Sequence, residues 1–289
     1  MGNDGPYCGV RAAVLGASGF IGRWVARALC AERADVYLVV RDGTHARAIF
    51  SRYGIRGTVV EQDLGEPAAA GALVRTIRPS ITFNLVGYGV DPSERDDRTA
   101  YAINAFLVEA LCGAAAEACD RRWRGQDIVH VGSALEYGDI GGSLSEDSAP
   151  KPTTLYGRSK LAGTEVLLRS CPALGLKGLT ARLLTVYGPG EHRGRLLPSL
   201  VDAARMGKSV RLTAGDQKRD FTYVEDVAGG LLRLGLAAAK PGEIVNLASG
   251  QLTSVRTFAE TAAEILNLPQ DRLEFGAIPT RPEEMAHSE

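Results

Sequence analysis

The chain has 289 residues, 45% of them hydrophobic, 23% charged and 6% aromatic, enough to bury a substantial core in one or two domains. A formal net charge of −1 and a pI near 6.5 exclude broad electrostatic attraction to nucleic acid or to an anionic membrane, while leaving room for a local phosphate site. Five scattered cysteines (Cys8, Cys30, Cys112, Cys119, Cys171) have no zinc-type spacing and are expected to be small buried side chains in a reducing compartment.

The N-terminus carries Asp4 and no apolar core, and Pro6 stands where a myristoylation motif wants Ser or Thr, so neither a signal peptide nor a lipid anchor is expected. The most apolar late run, Ala228 to Ala239, is short and interrupted by Arg233, so no membrane span is expected. These features point to a cytoplasmic protein without a nucleic-acid or membrane partner.

In chain order, Arg11 to Leu15 reads as a strand, Phe20 to about Glu32 as a helix and Val36 to Val40 as a second strand. Thr58 to Val60 follows as a third strand, about Pro67 to Ile77 as a helix and Ile81 to Val86 as a fourth strand. A long Ala-rich helix from Ala100 to Cys119 leads to a strand at Ile128 to Val131. A helix from about Thr154 to Ser170 and a strand from Leu179 to Val186 come next. This alternation predicts βαβ units, and so an α/β fold of Rossmann type: a doubly wound parallel sheet covered on both faces. After Gly188-Pro189-Gly190 the rhythm changes to shorter elements and charged loops. The expected division is therefore a dinucleotide-binding domain over about 1–187. Residues 188–289 are expected to be mostly a smaller, substrate-binding C-terminal part, with some segments returning to the first domain.

Gly16-Ala17-Ser18-Gly19-Phe20-Ile21-Gly22 lies between the first strand and the first helix. Glycines let the backbone turn tightly and approach a pyrophosphate, and a helix N-terminus offers N–H groups and a favourable dipole. A plain tight turn has the same composition; the position between strand and helix favours dinucleotide binding, with Gly16, Ser18, Gly19, Phe20, Ile21 and Gly22 as contacts. The second strand ends in Arg41-Asp42, where a basic residue suits the extra phosphate of NADP and an acidic one the ribose of NAD.

Tyr156 and Lys160 are four apart at the start of a predicted helix, hence on one face. An ammonium near a tyrosine favours its ionised form and makes it a usable proton donor and acceptor. Ser133 follows a strand and so falls at the carboxyl edge of the sheet, where ligands of this architecture bind. Each motif alone is common; their order along the chain carries the argument.

With these motifs the chain resembles an extended short-chain dehydrogenase/reductase of the NAD-dependent epimerase/dehydratase family, nearly end to end. The likeness includes Tyr101-Ala102-Ile103-Asn104, Gly132-Ser133-Ala134-Leu135-Glu136-Tyr137-Gly138, Val186 to Gly190, Arg219 to Asp226 and Val245 to Gly250. It implies that Ser133, Tyr156 and Lys160 are catalytic, with Tyr156 the acid/base and Lys160 holding the nicotinamide ribose. It also implies that Asp63-Leu64 contacts the adenine. Val40-Arg41-Asp42 resembles the NADP-dependent dihydroflavonol reductases, which tilts the cofactor reading to NADP, with NAD as the alternative.

In sugar 4,6-dehydratases of this family an Asp-Glu pair follows the catalytic hydroxyl residue; Ala134 and Leu135 stand there instead and can move no proton. Leu135 also replaces the cysteine of combined epimerase-reductases. The expected activity is an NADPH-dependent 4-ketoreductase acting on a nucleotide-diphosphate sugar, with an NAD-dependent 4-epimerase as the alternative. A reductase of a non-sugar ketone and a non-catalytic NADP-binding sensor are further alternatives.

By the same resemblance, Arg219 and Arg281 would bind the substrate diphosphate, because a guanidinium offers paired donors in a plane. Surface salt bridges are the other reading of both. Thr185 stands where many relatives have an asparagine that touches the diphosphate. Asn84 and Tyr88 either line the nicotinamide pocket or form a turn, and His130 reads as a core residue. The helices from Ala100 and Thr154 commonly form a dimer interface in this family, so a homodimer is expected. The chain ends at Glu289, after an element that another helix usually follows, which fits a shortened chain or an open substrate lid.

Overall fold

The computed structural model describes residues 5–280 except 91, 92, 119, 121, 139, 141 and 142. Cys119, Arg281 and His287 lie outside the described residues.

The first half alternates as its apolar periodicity predicts: β1 (Arg11–Leu15), α1 (Phe20–Ala31), β2 (Asp35–Val40), α2 (Gly43–Tyr53), β3 (Thr58–Glu61), α3 (Pro67–Ile77) and β4 (Ile81–Asn84). Helix α4 (Asp97–Tyr101) passes through a π-helical turn at Ala102–Phe106 into α5 (Leu107–Ala118). Then come β5 (Ile128–Ser133), α6 (Leu155–Leu174) and β6 (Gly178–Leu183). The remainder comprises β7 (Thr185–Tyr187), α7 (Leu196–Met206), β8 (Val210–Arg211), β9 (Lys218–Tyr223), α8 (Val224–Leu236) and β10 (Glu243–Leu247). It ends with β11 (Leu252–Ser254), α9 (Val255–Ile265) and β12 (Leu273–Glu274).

Among the described residues a seven-stranded sheet has the order β10-β6-β5-β4-β1-β2-β3, with every neighbouring pair parallel. This is the doubly wound Rossmann arrangement. Its connections reverse direction at β1, which opens a crevice at the carboxyl edge between β1 and β4. Strands β4 and β6 are buried along their whole length, because helices cover both faces. On one face Trp24, Val25 and Leu29 of α1 meet Val224, Val227 and Leu231 of α8. On the other, Leu73 and Val74 of α3 pack with Leu107, Val108 and Leu111 of α5 and Val166 and Leu167 of α6.

The helix from Asp97 to Ala118 is long and apolar enough to cross a membrane by length and composition. Leu107, Val108, Leu111, Cys112, Ala114 and Ala115 of its second half belong to this second cluster, so that half serves as a core helix.

Three expectations are corrected. The strand expected from Leu179 to Val186 is two strands, broken at Leu184: β6 belongs to the large sheet, and β7 pairs with β9 in a separate three-stranded sheet β11-β9-β7. The long helix expected from Ala100 begins at Asp97, capped by Asp96, whose side chain accepts from the Thr99 N–H at 2.8 Å. Helix α2 was not expected, because its polar residues (Thr44, His45, Arg47, Ser51, Arg52) obscure the apolar stripe of Ala46 and Phe50. Its ends are nonetheless marked by Asp42 as N-cap and left-handed Gly54 as C-cap.

Of the cysteines, Cys112 and Cys171 are buried as expected, with their thiols in contact, whereas Cys8 and Cys30 are partly exposed. Cys30 donates to the Arg56 carbonyl at 2.8 Å.

Candidate active site

The loop after β1 folds back on itself. Gly16 takes a φ of +76°, and the N–H groups of Gly16 and Ala17 both donate to the Val39 carbonyl of β2, at 3.1 and 3.2 Å. The Gly19 N–H donates to the Gly16 carbonyl at 2.9 Å. A Cβ on Gly22 would stand 2.1 Å from that same carbonyl oxygen, so this position admits no side chain. Helix α1 starts without a side-chain cap and without an acid in its first turn, leaving its positive end for an anion.

Sequence reasoning missed Arg23. Its guanidinium donates to the carbonyls of Gly19 at 2.9 Å and Ser18 at 2.8 Å and lies over the Tyr53 ring, pinning the loop from outside. The Trp24 indole donates to the Pro189 carbonyl at 3.0 Å, which brings Gly188-Pro189-Gly190 against the same helix. Phe20 and Ile21 begin α1, so the glycine-loop residues named from sequence stand together.

At the end of β2, Arg41 is exposed. Asp42 is engaged, its carboxylate accepting from the His45 N–H at 2.9 Å, while Glu61 accepts from the Gly43 N–H at 3.0 Å. Both carboxylates nearest the strand end thus secure the start of α2. Asp63 is exposed and accepts from the Gly65 N–H at 2.9 Å, shaping a turn, whereas Leu64 is buried against the α3 side of the core.

Ser133, Tyr156 and Lys160 converge at the carboxyl edge. Strand β5 extends through Ser133, whose Oγ accepts from the Leu135 N–H at 3.2 Å and is hydrogen-bonded to the Tyr156 phenol. Tyr156 lies in the first turn of α6, which Thr154 caps by accepting from the Gly157 N–H at 3.0 Å. Lys160, one turn further on, is 2% exposed. Over Tyr156 passes Gly89, where a Cβ would come within 3.3 Å of the ring.

Asn104, in the π turn, ties the β4 loop to α6. Its amide donates to the Tyr88 carbonyl and to Ser159 Oγ, each at 2.8 Å, and its oxygen accepts from the Tyr88 N–H at 3.1 Å. Such turns recur at functional sites, and the wider turn here carries this side chain. Tyr88 is thus held through its backbone. Asn84 is fully buried and donates to His130 Nδ1 at 3.1 Å, so it belongs to the core and not to a pocket wall. Burial and the charge of Lys160 hold His130 well below the usual imidazole range, so it is neutral.

Burial pushes Tyr156 up to about 12, helped by the negative charge of Glu136 and opposed by the Ser133 hydrogen bond and Arg195. Burial likewise pulls Lys160 down to about 8, with Glu136 opposing. At neutral pH the tyrosine is therefore protonated and the lysine is an ammonium.

Glu136 also escaped the sequence reading except as part of a matching segment. It is fully buried and accepts from the Ser133 N–H at 2.8 Å, Thr164 Oγ1 at 2.9 Å and Arg182 Nε at 2.8 Å. The available signal was Arg182, a charge inside an apolar strand that demands a buried partner. Turned inward, Glu136 does not replace the proton-moving acids missing at Ala134 and Leu135.

Two of the sequence-predicted substrate residues, Thr185 and Arg219, lie on the three-stranded sheet. Thr185 opens β7 opposite Phe221 of β9. Arg219 is on β9 and alternates with buried Asp220, so it shares a face with Phe221. A polar depression of about 160 Å³, lined by Arg11, Asp35, Arg78 and Arg122 among others, lies at the opposite, amino edge of the large sheet, away from this chemistry.

Residues 12–248 match the model of the NAD dependent epimerase/dehydratase family. The chain belongs to that family. Proteins similar to it include a dTDP-6-deoxy-L-talose 4-dehydrogenase (NAD(P)(+)) of Kitasatospora kifunensis, 32% identical over 92% of this chain and 82% of that protein. A solved putative epimerase of Burkholderia cenocepacia is 29% identical, covering 97% of this chain and 88% of its own, with a TM-score of 0.81. MoeE5, solved with UDP-glucose and NAD, is 26% identical, covers 96% and 88%, and has a TM-score of 0.79. The protein is accordingly an NAD(P)-linked enzyme of the epimerase/dehydratase family.

Proposed function

We propose that this enzyme is an NADPH-dependent ketoreductase acting at C4 of a nucleotide-diphosphate sugar. The observation that carries the coenzyme choice is the end of β2. Arg41 is exposed there, while Asp42 and Glu61, the acids able to take a ribose hydroxyl, are hydrogen-bonded to the start of α2. The loop fits the coenzyme's pyrophosphate, since the uncapped N-terminus of α1 and the side-chain-free approach at Gly22 form a cradle for it. In this reading Gly16 to Gly22 hold the pyrophosphate, Asp63 and Leu64 flank the adenine, and Lys160 reaches the nicotinamide ribose.

The nicotinamide, when bound, supplies the hydride. Tyr156 gives its phenolic proton to O4 of the keto-sugar as C4 is reduced. Its raised pKa suits this role, because a ketone reduction needs the tyrosine protonated at the outset. Ser133 donates to the same oxygen, and the ammonium of Lys160 meets the charge left on Tyr156. Arg219, with Thr185 nearby on the three-stranded sheet, binds the diphosphate, and residues 188–289 form most of the substrate-binding part. The 4-dehydrogenase relative, named for both coenzymes, supports chemistry at C4.

The second reading is an NAD-dependent 4-epimerase, favoured by the likeness to MoeE5 with UDP-glucose and NAD. It uses the same trio, with hydride taken from C4 and returned to the opposite face. We also propose a cytoplasmic homodimer joined through the helix that runs from α4 through the π turn into α5 and through α6, where Phe106 of the turn and Leu168 of α6 are exposed.

Denaturing the purified protein and identifying any nicotinamide released, beside NADPH and NADH titrations of the native enzyme, tests this. An empty protein that binds NADPH at least tenfold more tightly than NADH supports the reductase. Stoichiometric NAD carried through purification overturns it in favour of the epimerase.

A further inference from the structure

A carboxylate sealed beneath this site has no place in the proton and hydride steps. Removing an ionised group from water costs several kcal/mol unless its partners are well placed, and an apolar pair of similar volume serves a merely structural purpose as well or better. Yet the surrounding sequence is shaped to keep Glu136. A Cβ on Gly132 would stand 2.5 Å from its Oε1, so the strand gives up a side chain to admit the carboxylate. Oε1 takes the N–H of Ser133, and Oε2 takes both Thr164 and Arg182. Thr164 lies one turn along α6 from Lys160, so the carboxylate stands against the lysine-bearing face of that helix.

We propose that Glu136 is the positioning residue of the active site, a buried carboxylate that acts at once as counter-ion to Lys160 and as anchor of the Ser133 backbone. The proposal rests on Ser133, Tyr156 and Lys160 being the working trio, though not on the identity of the sugar. The arrangement is a charge ladder. Arg182, 1% exposed and stacked on the Tyr137 ring with its guanidinium 4.4 Å from the centroid, neutralises Glu136 from the β6 side. Lys160 draws on the same carboxylate from α6. The remaining ionisable groups facing the lysine are neutral His130 on β5 and protonated Tyr156 on α6; Arg195 and Glu94, with opposite charges, act on Tyr156 from outside. Without Glu136, Lys160 would bear the full cost of burial with no negative charge to offset it, and the ammonium would shed its proton at lower pH.

The test uses protein labelled with 13Cε-lysine and titrated by NMR, with the Lys160 resonance identified by its loss in Lys160→Met. Glu136→Gln preserves the shape and the acceptor toward Ser133 but removes the charge; Arg182→Met strips the carboxylate of its other partner. The midpoint of Lys160 is expected to fall by about one pH unit or more in Glu136→Gln and to rise in Arg182→Met. Each variant decides alone, so misfolding of one, checked by circular dichroism, leaves the other informative. A midpoint unchanged from the parent protein in a folded variant, or a shift of the same sign in both, overturns the proposal. Because no substrate is added, an error in the sugar or reaction assigned above would not disturb the result.

Discussion

Asn104 donates to the hydroxyl of Ser159 at 2.8 Å, and that hydroxyl donates in turn to the carbonyl of Tyr156 at 3.1 Å. The π turn is therefore linked to the first turn of α6 by two successive side-chain hydrogen bonds, and the same amide holds both backbone groups of Tyr88. Replacing Asn104 with Ala strands these buried groups. The expected cost is about 1–3 kcal/mol of stability, read as a lower urea midpoint with an unchanged slope.

Tyr156→Phe retains the ring against Gly89 and deletes the proton. Activity toward any accepted keto-sugar is expected to drop by about 10²–10⁴-fold, with NADPH affinity within a factor of about two of the parent. Loss of cofactor binding to the same extent as turnover would mean that the phenol has a structural role.

Lys160 costs the fold stability. Its pKa falls from 10.5 in the unfolded chain to about 8 in the native protein. Between pH 8 and 10.5 the unfolded state therefore holds a proton that the folded state has released, and stability climbs with pH across that window, by about 3 kcal/mol in all. From pH 10 upward Tyr156, which keeps its proton to about 12, works in the opposite direction. Lys160→Met is thus expected to raise the melting temperature at pH 7 by several degrees while abolishing turnover, and to flatten the rise in stability between pH 8 and 10. Calorimetry across that range checks it; an unaltered pH dependence in the variant would refute the assignment.

Gly22→Ala forces a methyl toward the Gly16 carbonyl oxygen at 2.1 Å, and neither backbone segment has room to retreat. The loop must open, so coenzyme affinity is expected to fall at least about tenfold, with a stability loss of about 1–3 kcal/mol. Nicotinamide fluorescence titration measures the first and thermal denaturation the second.

Arg41→Ser removes the exposed cation at the end of β2. One charge-assisted hydrogen bond is worth about 1.5–3 kcal/mol, so NADPH affinity is expected to weaken by about 10- to 150-fold while NADH affinity changes little. Equal weakening of both coenzymes would remove the basis for the NADP reading.

The parallel sheet was legible because its strands are nearly continuous apolar runs and its helices carry clear stripes; β1 matches its expected span to the residue. Local chemistry was less so. The break at Leu184 lies within an apolar run, where nothing distinguishes one long strand from two shorter ones serving different sheets. Helix α2 was hidden because only its caps, not its stripe, set it apart. At the site, Ser133, Tyr156 and Lys160 were readable as motifs, since their order and spacing, a serine at a strand end and a tyrosine and lysine one helical turn apart, are local features of the sequence. Glu136, Arg182 and Arg23 act through tertiary partners far away in sequence, and no local pattern announces a pairing between positions 136 and 182. Asn84 was left open between a pocket wall and a turn, because the direction of a strand-end amide depends on a neighbour, here His130, on another strand.

The Asp220 carboxylate accepts from the backbone N–H groups of Ser249 and Gly250, at 2.9 and 2.7 Å, and from the Thr222 hydroxyl at 2.9 Å. It thereby rivets the small sheet to the loop leaving β10, the last strand of the large one. A hinge between the two would have to break both of these backbone hydrogen bonds to a buried charge, while the Thr222 contact stays within β9. The small sheet and the edge of the large one are therefore held together as a single frame at this corner.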